Sequence, residues 1–474
     1  MTNENYEVVI GLEVHAALKT KTKMYCSCST EYGKPANTNV CPVCLGFPGT
    51  LPVVNGRAIE MAVKAGLIMD CSITEFSKQD RKNYFYPDLP KGYQDSQYDL
   101  PLCENGKITL DNGKVIGITR IHIEEDAGKL SHTSMGTFVD FNRGGVPLIE
   151  IVSEPDMRSS DEAKEYLEKL RTMLVYADIC DGKMNEGSLR CDVNVSVMKK
   201  GSKEFGTRTE MKNMNSFSNA VKAMEYEAKR QIEVIEAGGT ISQETRRWDE
   251  KEEKTIAMRS KENAKDYRYF PEPDLVAMEI NEAFIENVRK EIPEMPAERK
   301  ARYVEKYNLS DYDADAIAMY KSIADYFEEV LKHTDNSKAV ANYIMGEVYR
   351  LLDEHEKEEG KIPFGPEMFA ELIKLIDNNV ISNSVAKEVF AGMWNTGKKA
   401  SDIVEEKGLG QINDDSALQG IIDTVIANNE QSVIDYKNGK DRAIKALMGQ
   451  VMKETKGKAN PKLVNEMLVD SLNK

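Results

Sequence analysis

The sequence lacks any run approaching about 18 apolar residues, so no membrane-spanning helix is expected. It begins Met1-Thr2-Asn3-Glu4-Asn5, acidic and polar, without the basic segment and apolar stretch of a secretory signal. It lacks excess positive charge: 63 Lys and Arg against 79 Asp and Glu give −16, which on its face argues against nucleic acid as a partner. Histidine is scarce, with five in 474 residues, and none sits in a recognisable nucleophile setting. Eight cysteines are too few for a disulfide scaffold in so long a chain, and the expected compartment is the cytoplasm. A phosphate-binding loop of the Walker type is also missing. The near-match Gly392 to Lys399 has Lys399 where a Ser or Thr should bind Mg²⁺, and it follows a helix-like segment rather than a strand.

What remains is an ordinary globular composition, 41% apolar and 30% charged. At roughly 100–200 residues per domain the length suggests three domains. Up to about residue 290 the texture is mixed. After Ile292-Pro293-Glu294-Met295-Pro296 apolar residues recur at i, i+3, i+4, which predicts helices, and Gly408-Leu409-Gly410 with Asn413-Asp414-Asp415 marks a third piece. The expected divisions are residues 1–292, 293–410 and 411–474.

Within the first piece, Ser159 and Glu162 stand at capping-box spacing ahead of an apolar stripe, Ala163, Tyr166, Leu167, Leu170, Met173, Leu174 and Ala177. Leu189, Cys191, Val193, Val195 and Val197 alternate with Arg190, Asp192, Asn194 and Ser196; Arg208, Glu210 and Lys212 alternate with Thr207, Thr209 and Met211. Such strands predict a mostly antiparallel sheet that buries one face and works with the other.

Cys26 and Cys28, then Cys41 and Cys44, make two close pairs in turn-prone sequence, the spacing of a structural four-thiolate Zn²⁺ site. Cys71, Cys103, Cys180 and Cys191 are scattered and read as small core residues. Val8 to His15 reads as a strand with Glu13 and His15 on one face. Glu124 and Glu125 end another strand, and Glu150 lies inside an apolar run, where a charge is costly unless paired or metal-bound. Glu13, His15, Glu124 or Glu125, and Glu150 are candidate ligands for a hard cation such as Mg²⁺. Lys78 to Gln94, with its bases and tyrosines, reads as an ordered loop suited to nucleotide or RNA contact. From Lys437 to Lys474, nine basic residues face four acidic ones, a net of +5. An amphipathic helix with Ile444, Leu447, Met448 and Val451 on one face precedes a basic loop, and Asn460-Pro461 starts a last helix. Lys440, Arg442, Lys453, Lys456 and Lys458 are candidate contacts to a phosphate backbone.

Several long motifs together carry a resemblance: Ile10 to His15; Arg81 to Gln94; Glu124 to Lys129; Pro147 to Pro155; Glu186 to Asp192; Lys212 to Ser216; and Asp266 to Asp274. With them the chain resembles, essentially end to end, the B-subunit family of the bacterial aspartyl/glutamyl-tRNA amidotransferases. The resemblance implies an α+β protein: a mostly antiparallel cradle related to the glutamine synthetase and guanido kinase fold, an all-α helical domain and a small all-α tail that binds tRNA. It implies a heterotrimer with the amidase (the A-subunit) and the small C-subunit of those enzymes. Its substrates would be Glu-tRNA(Gln) or Asp-tRNA(Asn), ATP with Mg²⁺, and ammonia that the amidase releases from glutamine. It implies catalytic roles for Glu13, His15, Lys82, Glu150, Glu210 and Lys212, and ATP or phosphate contacts from Lys91, Ser188, Arg190, Asp192 and Arg208. The four cysteines resemble the zinc-bearing members; others lack them. Two other readings of the chain are an independent ligase acting on a small carboxylate and a non-catalytic tRNA scaffold.

Overall fold

A computed structural model describes residues 5–260, 267–410, 415–438, 440, 442–455 and 459–473. They fall into two compact units, Met1–Met295 and Pro296–Lys474. The first holds strands β1 (Tyr6–Ala17), β2 (Ser72–Ile73), β3 (Phe76–Ser77), β4 (Asp80–Asn83), β5 (Tyr93–Ser96), β6 (Cys103–Thr109), β7 (Val115–Glu125), β8 (Lys129–Thr133), β9 (Gly136–Asp140), β10 (Pro147–Ser153), β11 (Leu189–Lys199), β12 (Thr209–Lys212), β13 (Glu244–Asp249), β14 (Lys254–Ser260), β15 (Phe270–Pro271) and β16 (Met278–Glu279). Its helices are α1 (Gly56–Ile68), α2 (Ser160–Tyr176), α3 (Phe217–Glu236) and α4 (Glu282–Lys290).

Nine strands form one sheet in the order β14-β13-β12-β11-β1-β10-β7-β6-β2. Its pairings are antiparallel except that of β12 with β13. The two-residue period decides which side is buried. Ile10, Leu12, Val14 and Ala16 of β1 and Leu189, Cys191, Val193 and Val195 of β11 all face one core, shared with α1, α2 and α3. Each large apolar side chain buried there contributes about 1.5–3 kcal/mol. The intervening residues leave the opposite face polar. Cys71, Cys103, Cys180 and Cys191 are buried, as their reading as core residues expects.

Helix α2 buries the expected stripe, with Met173 at its half-buried edge. Its capping box is only half formed. Ser159 Oγ accepts from Glu162 N at 3.1 Å, but the Glu162 carboxylate reaches one residue further back, to Arg158 N at 2.7 Å, and pairs with Lys114 at 2.7 Å. Lys114 arrives from the β6–β7 turn, a partner that local spacing does not reveal.

The stretch Lys78 to Gln94 is not the continuous loop its sequence suggested. Asp80–Asn83 and Tyr93–Ser96 pair as β4 and β5 of a three-stranded sheet, order β15-β4-β5. These strands show no apolar alternation because their charged groups are satisfied by remote partners: Arg81 Nη2 donates to Glu272 Oε1 at 2.9 Å.

Among the described residues of the second unit, every regular element is helical. One apolar cluster runs from Tyr303 to Val404 and another from Leu418 to Leu472. The helix Asn383–Thr396 ends on Gly397, whose φ of +66° suits a residue without a Cβ. The Walker-like stretch is therefore a helix end and its cap. The helix Arg442–Glu454 buries Ala443, Leu447 and Val451 with Ile444 and Met448 at its edges. Asn460 caps Pro461–Leu472, accepting from Lys462 N at 3.0 Å. Asn413 and Asp414, expected as a helix start, lie outside the described residues.

Candidate active site

The polar face of the large sheet is assembled by register. Glu150 of β10 stands opposite His122 of β7 on one side and His15 of β1 on the other, and His15 stands opposite Arg190 of β11. His122, Glu150, His15 and Arg190 thus form one row across four strands. In the next row Glu13 stands opposite Asp192. Because neighbouring strands lie about 4.8 Å apart, such rows bring functional groups within reach of a shared ligand.

His15 Nδ1 lies 3.0 Å from Glu124 Oε1 and 3.9 Å from Glu150 Oε2, and His122 Nε2 lies 3.3 Å from the same Glu150 oxygen. One donor atom each from His15, Glu124 and Glu150 fall within 4.8 Å of one another. Burial works against a charged His15, but the hydrogen bond and charge of Glu124 and the charge of Glu150 outweigh it and raise its pKa to about 9. Glu124 and Glu150 are pushed up by burial and pulled down further: Glu124 by His15, Glu150 first by His122 and then by His15 and Lys82. Two buried carboxylates and one imidazole form a donor set that fits a hard divalent cation.

The other predicted residues divide. Glu13 accepts from Asn194 Nδ2 at 2.9 Å, and its pKa is raised by burial and then by Glu150. Lys212 pairs with Asp192 and, at 3.0 Å, with Glu210, which also accepts from Thr245 Oγ1 at 2.8 Å. Lys82 of β4 makes no ion pair among the described residues, and its ammonium sits 5.1 Å from the Tyr267 ring centre. Burial opposes its charge, but Glu124, Tyr269 and Glu150 hold its pKa above the usual lysine value. The Ser188 carbonyl accepts from Ala17 N at 2.7 Å, tying its turn to the end of β1.

Three candidates lie apart from the His15 cluster. Arg208 is exposed and precedes β12, before the strand pairing that sets Glu210 opposite Asn194 takes hold. Glu125, one residue beyond Glu124, alternates to the other side of β7, accepts from Asp95 N at 3.0 Å and pairs with Lys91. Lys91 is also bonded to Asp95 and lies over the rings of Tyr93 and Tyr25. Glu125 and Lys91 line a separate cleft of about 200 Å³ with Tyr25, Cys26, Cys44 and Asp95. Of the two open alternatives for a cation ligand, the His15 cluster contains Glu124. The sequence reading missed His122 as the partner of Glu150, although strand alternation places it on Glu124's face. It also missed Tyr267 and Tyr269, which have no periodic signal.

The four cysteine sulfurs of Cys26, Cys28, Cys41 and Cys44 lie within 4.8 Å of one another. The Cys44 thiol is pulled down to about 4, first by hydrogen bonding with Cys26, then by the Cys41 N–H and the Lys23 ammonium, against its burial. Lys23 is itself buried, 3.6 Å from Cys44 Sγ and donating to the Phe141 carbonyl at 3.1 Å. An ammonium in that position suits an anionic thiolate cluster, so the donor set fits Zn²⁺.

In the tail, Lys440, Arg442 and Lys453 are exposed, and Lys440 pairs with Asp435 at 3.0 Å; Lys456 and Lys458 lie outside the described residues.

A family model described as the GatB/GatE catalytic domain matches residues 8–286, and a second, described as a GatB domain, matches residues 325–472. The chain is 58% identical to the B-subunit of the aspartyl/glutamyl-tRNA(Asn/Gln) amidotransferase of Caldicellulosiruptor bescii, over 99% of each chain. It is 59% identical to that of Caldicellulosiruptor saccharolyticus over 99% of each, and 58% identical to that of Thermoanaerobacter pseudethanolicus over 99% of this chain and 100% of the other. No described helix is long and apolar enough to cross a membrane.

Proposed function

The chain belongs to the B-subunit family of the aspartyl/glutamyl-tRNA(Asn/Gln) amidotransferases, and on that premise we propose that it activates the side-chain carboxylate of Glu-tRNA(Gln) or Asp-tRNA(Asn) with ATP and passes it to ammonia. A carboxylate oxygen attacks the γ-phosphorus of ATP and ADP leaves. Ammonia nitrogen then attacks the acyl carbon and inorganic phosphate leaves, giving Gln-tRNA(Gln) or Asn-tRNA(Asn). Ammonia comes from glutamine through the amidase, in a cytoplasmic heterotrimer completed by the small C-subunit.

The observation that carries this reading is the convergence of His15, Glu124 and Glu150 on the polar sheet face, with the Lys82 ammonium held in its charged form by the same carboxylates. His15, Glu124 and Glu150 would hold Mg²⁺, which when bound neutralises phosphate charge. The Lys82 ammonium faces the same space and stabilises negative charge as the phosphoryl group transfers. Lys212, fixed between Asp192 and Glu210, supplies a second cation, and Arg190 with the Ser188 turn borders the site. Glu13, held by Asn194 and destabilised as an anion by burial, would carry a proton on this face. Lys91, paired with Asp95 and Glu125, lines the separate cleft, so any phosphate contact it makes would be there rather than at the His15 cluster.

A polar face on a large, mostly antiparallel sheet supports the likeness to the glutamine synthetase and guanido kinase fold. We read residues 1–292 as this catalytic cradle, with its zinc site, 293–410 as the helical domain and 411–474 as the tRNA-binding tail; the two separate apolar clusters of the second unit support that division. The test is amidation by the assembled enzyme with charged Glu-tRNA(Gln), MgATP and glutamine. One ADP should appear per amide formed. Amide formation without ATP would overturn the proposal.

A further inference from the structure

Asp126, directly after β7, is nearly buried, with 4% of its side chain exposed, yet it serves two guanidinium groups. Arg190 Nη2 donates to Oδ1 at 3.0 Å, and Arg143 Nε is ion-paired with Oδ2 at 3.1 Å. The Asp88 carboxylate also lies close enough to feel the charges of Arg143 and Asp126, so two carboxylates hold the two guanidinium groups in place. Both arginines stay open to solvent, at 38% for Arg143 and 35% for Arg190. The two terminal nitrogens of Arg143 make no hydrogen bond among the described residues, since Nε alone donates, to the Ala127 carbonyl at 3.3 Å.

Backbone contacts fix this arrangement. Arg143 lies in the turn that feeds β10: Val146 N donates to its carbonyl at 3.0 Å, and Asp126 N donates to the Val146 carbonyl at 2.8 Å. Arg190 stands opposite His15 in register. Gly187 has a φ of +79°, and a Cβ there would sit 3.6 Å from Arg143 Nη1, so the Gly187-Ser188 turn approaches the guanidinium edge. Arg143 and the Gly187-Ser188 turn thus come together beside Arg190, the end of the His15 row. Paired guanidinium forks suit the oxygens of a phosphoryl group, which accept parallel N–H donors.

We propose that Arg143 and Arg190, aligned by Asp126, form a subsite for a phosphoryl group of the nucleotide. The proposal rests on the ATP-dependent reading above and adds Arg143 to it. Asp126 is a positioning residue; it would not touch the nucleotide.

The test uses the assembled enzyme and titrates MgATP and, separately, charged tRNA into wild type, Arg143→Gln and Arg143→Lys. Arg143→Gln should weaken MgATP binding about tenfold, the loss expected for a charge-assisted hydrogen bond, while changing tRNA affinity less than about twofold. Arg143→Lys, which keeps the charge but loses the fork, should fall between, and it carries the test if the Gln variant has a lower melting temperature. Unchanged MgATP affinity in well-folded variants would make Arg143 only a counter-ion of Asp126 and overturn the proposal. Weakened tRNA binding with unchanged MgATP binding would assign the pair to RNA phosphate and overturn it too. Failure of wild type to bind MgATP would instead defeat the underlying reading.

Discussion

His15 Nδ1 lies 3.0 Å from Glu124 Oε1, although 109 residues separate the two along the chain. Glu150 Oε2 lies 3.9 Å from the same nitrogen. One imidazole is therefore shared by two carboxylates that would otherwise repel each other inside the protein.

Replacing His15 or Glu150 by Ala is expected to abolish phosphate transfer to Glu-tRNA, by a factor of about 10² or more. Binding of tRNA should survive, because the tail candidates are untouched. ADP release on addition of charged tRNA gives the first readout and a filter-binding titration the second. Normal amide formation by either variant in the assembled enzyme would remove the cluster from the mechanism.

Glu227 is fully buried on α3 and receives Arg230 Nε at 2.9 Å, Gln231 Nε2 at 3.0 Å and Thr255 Oγ1 at 2.9 Å, with Arg246 Nε 3.4 Å away. Glu227→Gln leaves Arg230 and Arg246 with Glu244 as their remaining carboxylate partner and should cost about 3 kcal/mol in a denaturant melt at neutral pH. Burial raises the Glu227 pKa, but the Arg230 and Gln231 hydrogen bonds, the Arg230 charge and the Thr255 hydroxyl outweigh it, and the net shift is downward. The stability it contributes is then present above the unfolded carboxyl pKa of about 4.3 and lost as pH falls through the lower folded value. The gap between wild type and variant should shrink on acidification; a gap that widened would contradict the assignment.

The protein purified without chelator should carry about one zinc per chain, released to a colorimetric indicator when the thiols are blocked. Cys44→Ser should lose most of it and lower the melting temperature. The ligand loop is also stitched to the turn before β10, through Asn39 N to Asn142 Oδ1 at 2.8 Å and Phe141 N to Asn37 Oδ1 at 2.8 Å. A full-strength melt without metal would argue that the four thiols are incidental.

Replacing Lys440, Arg442 and Lys453 together by Ala should weaken tRNA binding and flatten its salt dependence, by about 0.7–0.9 in log–log slope for each phosphate no longer neutralised. Truncation after Gly410 should weaken it further while leaving glutamine hydrolysis by the partner amidase nearly intact. Unchanged tRNA affinity in both proteins would place the RNA-binding surface elsewhere.

Much of the site was legible where periodicity and chemistry coincide. The alternation through β1 and β11 put Glu13 with His15 and Arg190 with Asp192 on one face, because side-chain direction in a strand depends only on parity. The two cysteine pairs were legible because each is local. The roles of Lys91, Arg208 and Lys82 were not separable in the same way. All three are basic residues near turns or strand starts, yet one is bonded to two carboxylates, one is exposed and one faces the acidic cluster without an ion pair among the described residues. Arg143 carried no signal at all, since its meaning comes from Asp126, seventeen residues earlier, and from Arg190 on another strand.

By itself the sequence determined the faces of the strands, the stripe of α2, the thiol pairs and the change to helices after Pro296, all of them consequences of local spacing. The tertiary structure decided which carboxylate meets His15. Strand order β11-β1-β10-β7 and its register place Glu124 and Glu150 beside the imidazole and send Glu125 to Lys91. That choice depends on the pairings of β1 with β10 and β11, each more than a hundred residues along the chain, together with that of β7 with β10, and no local pattern encodes their registers.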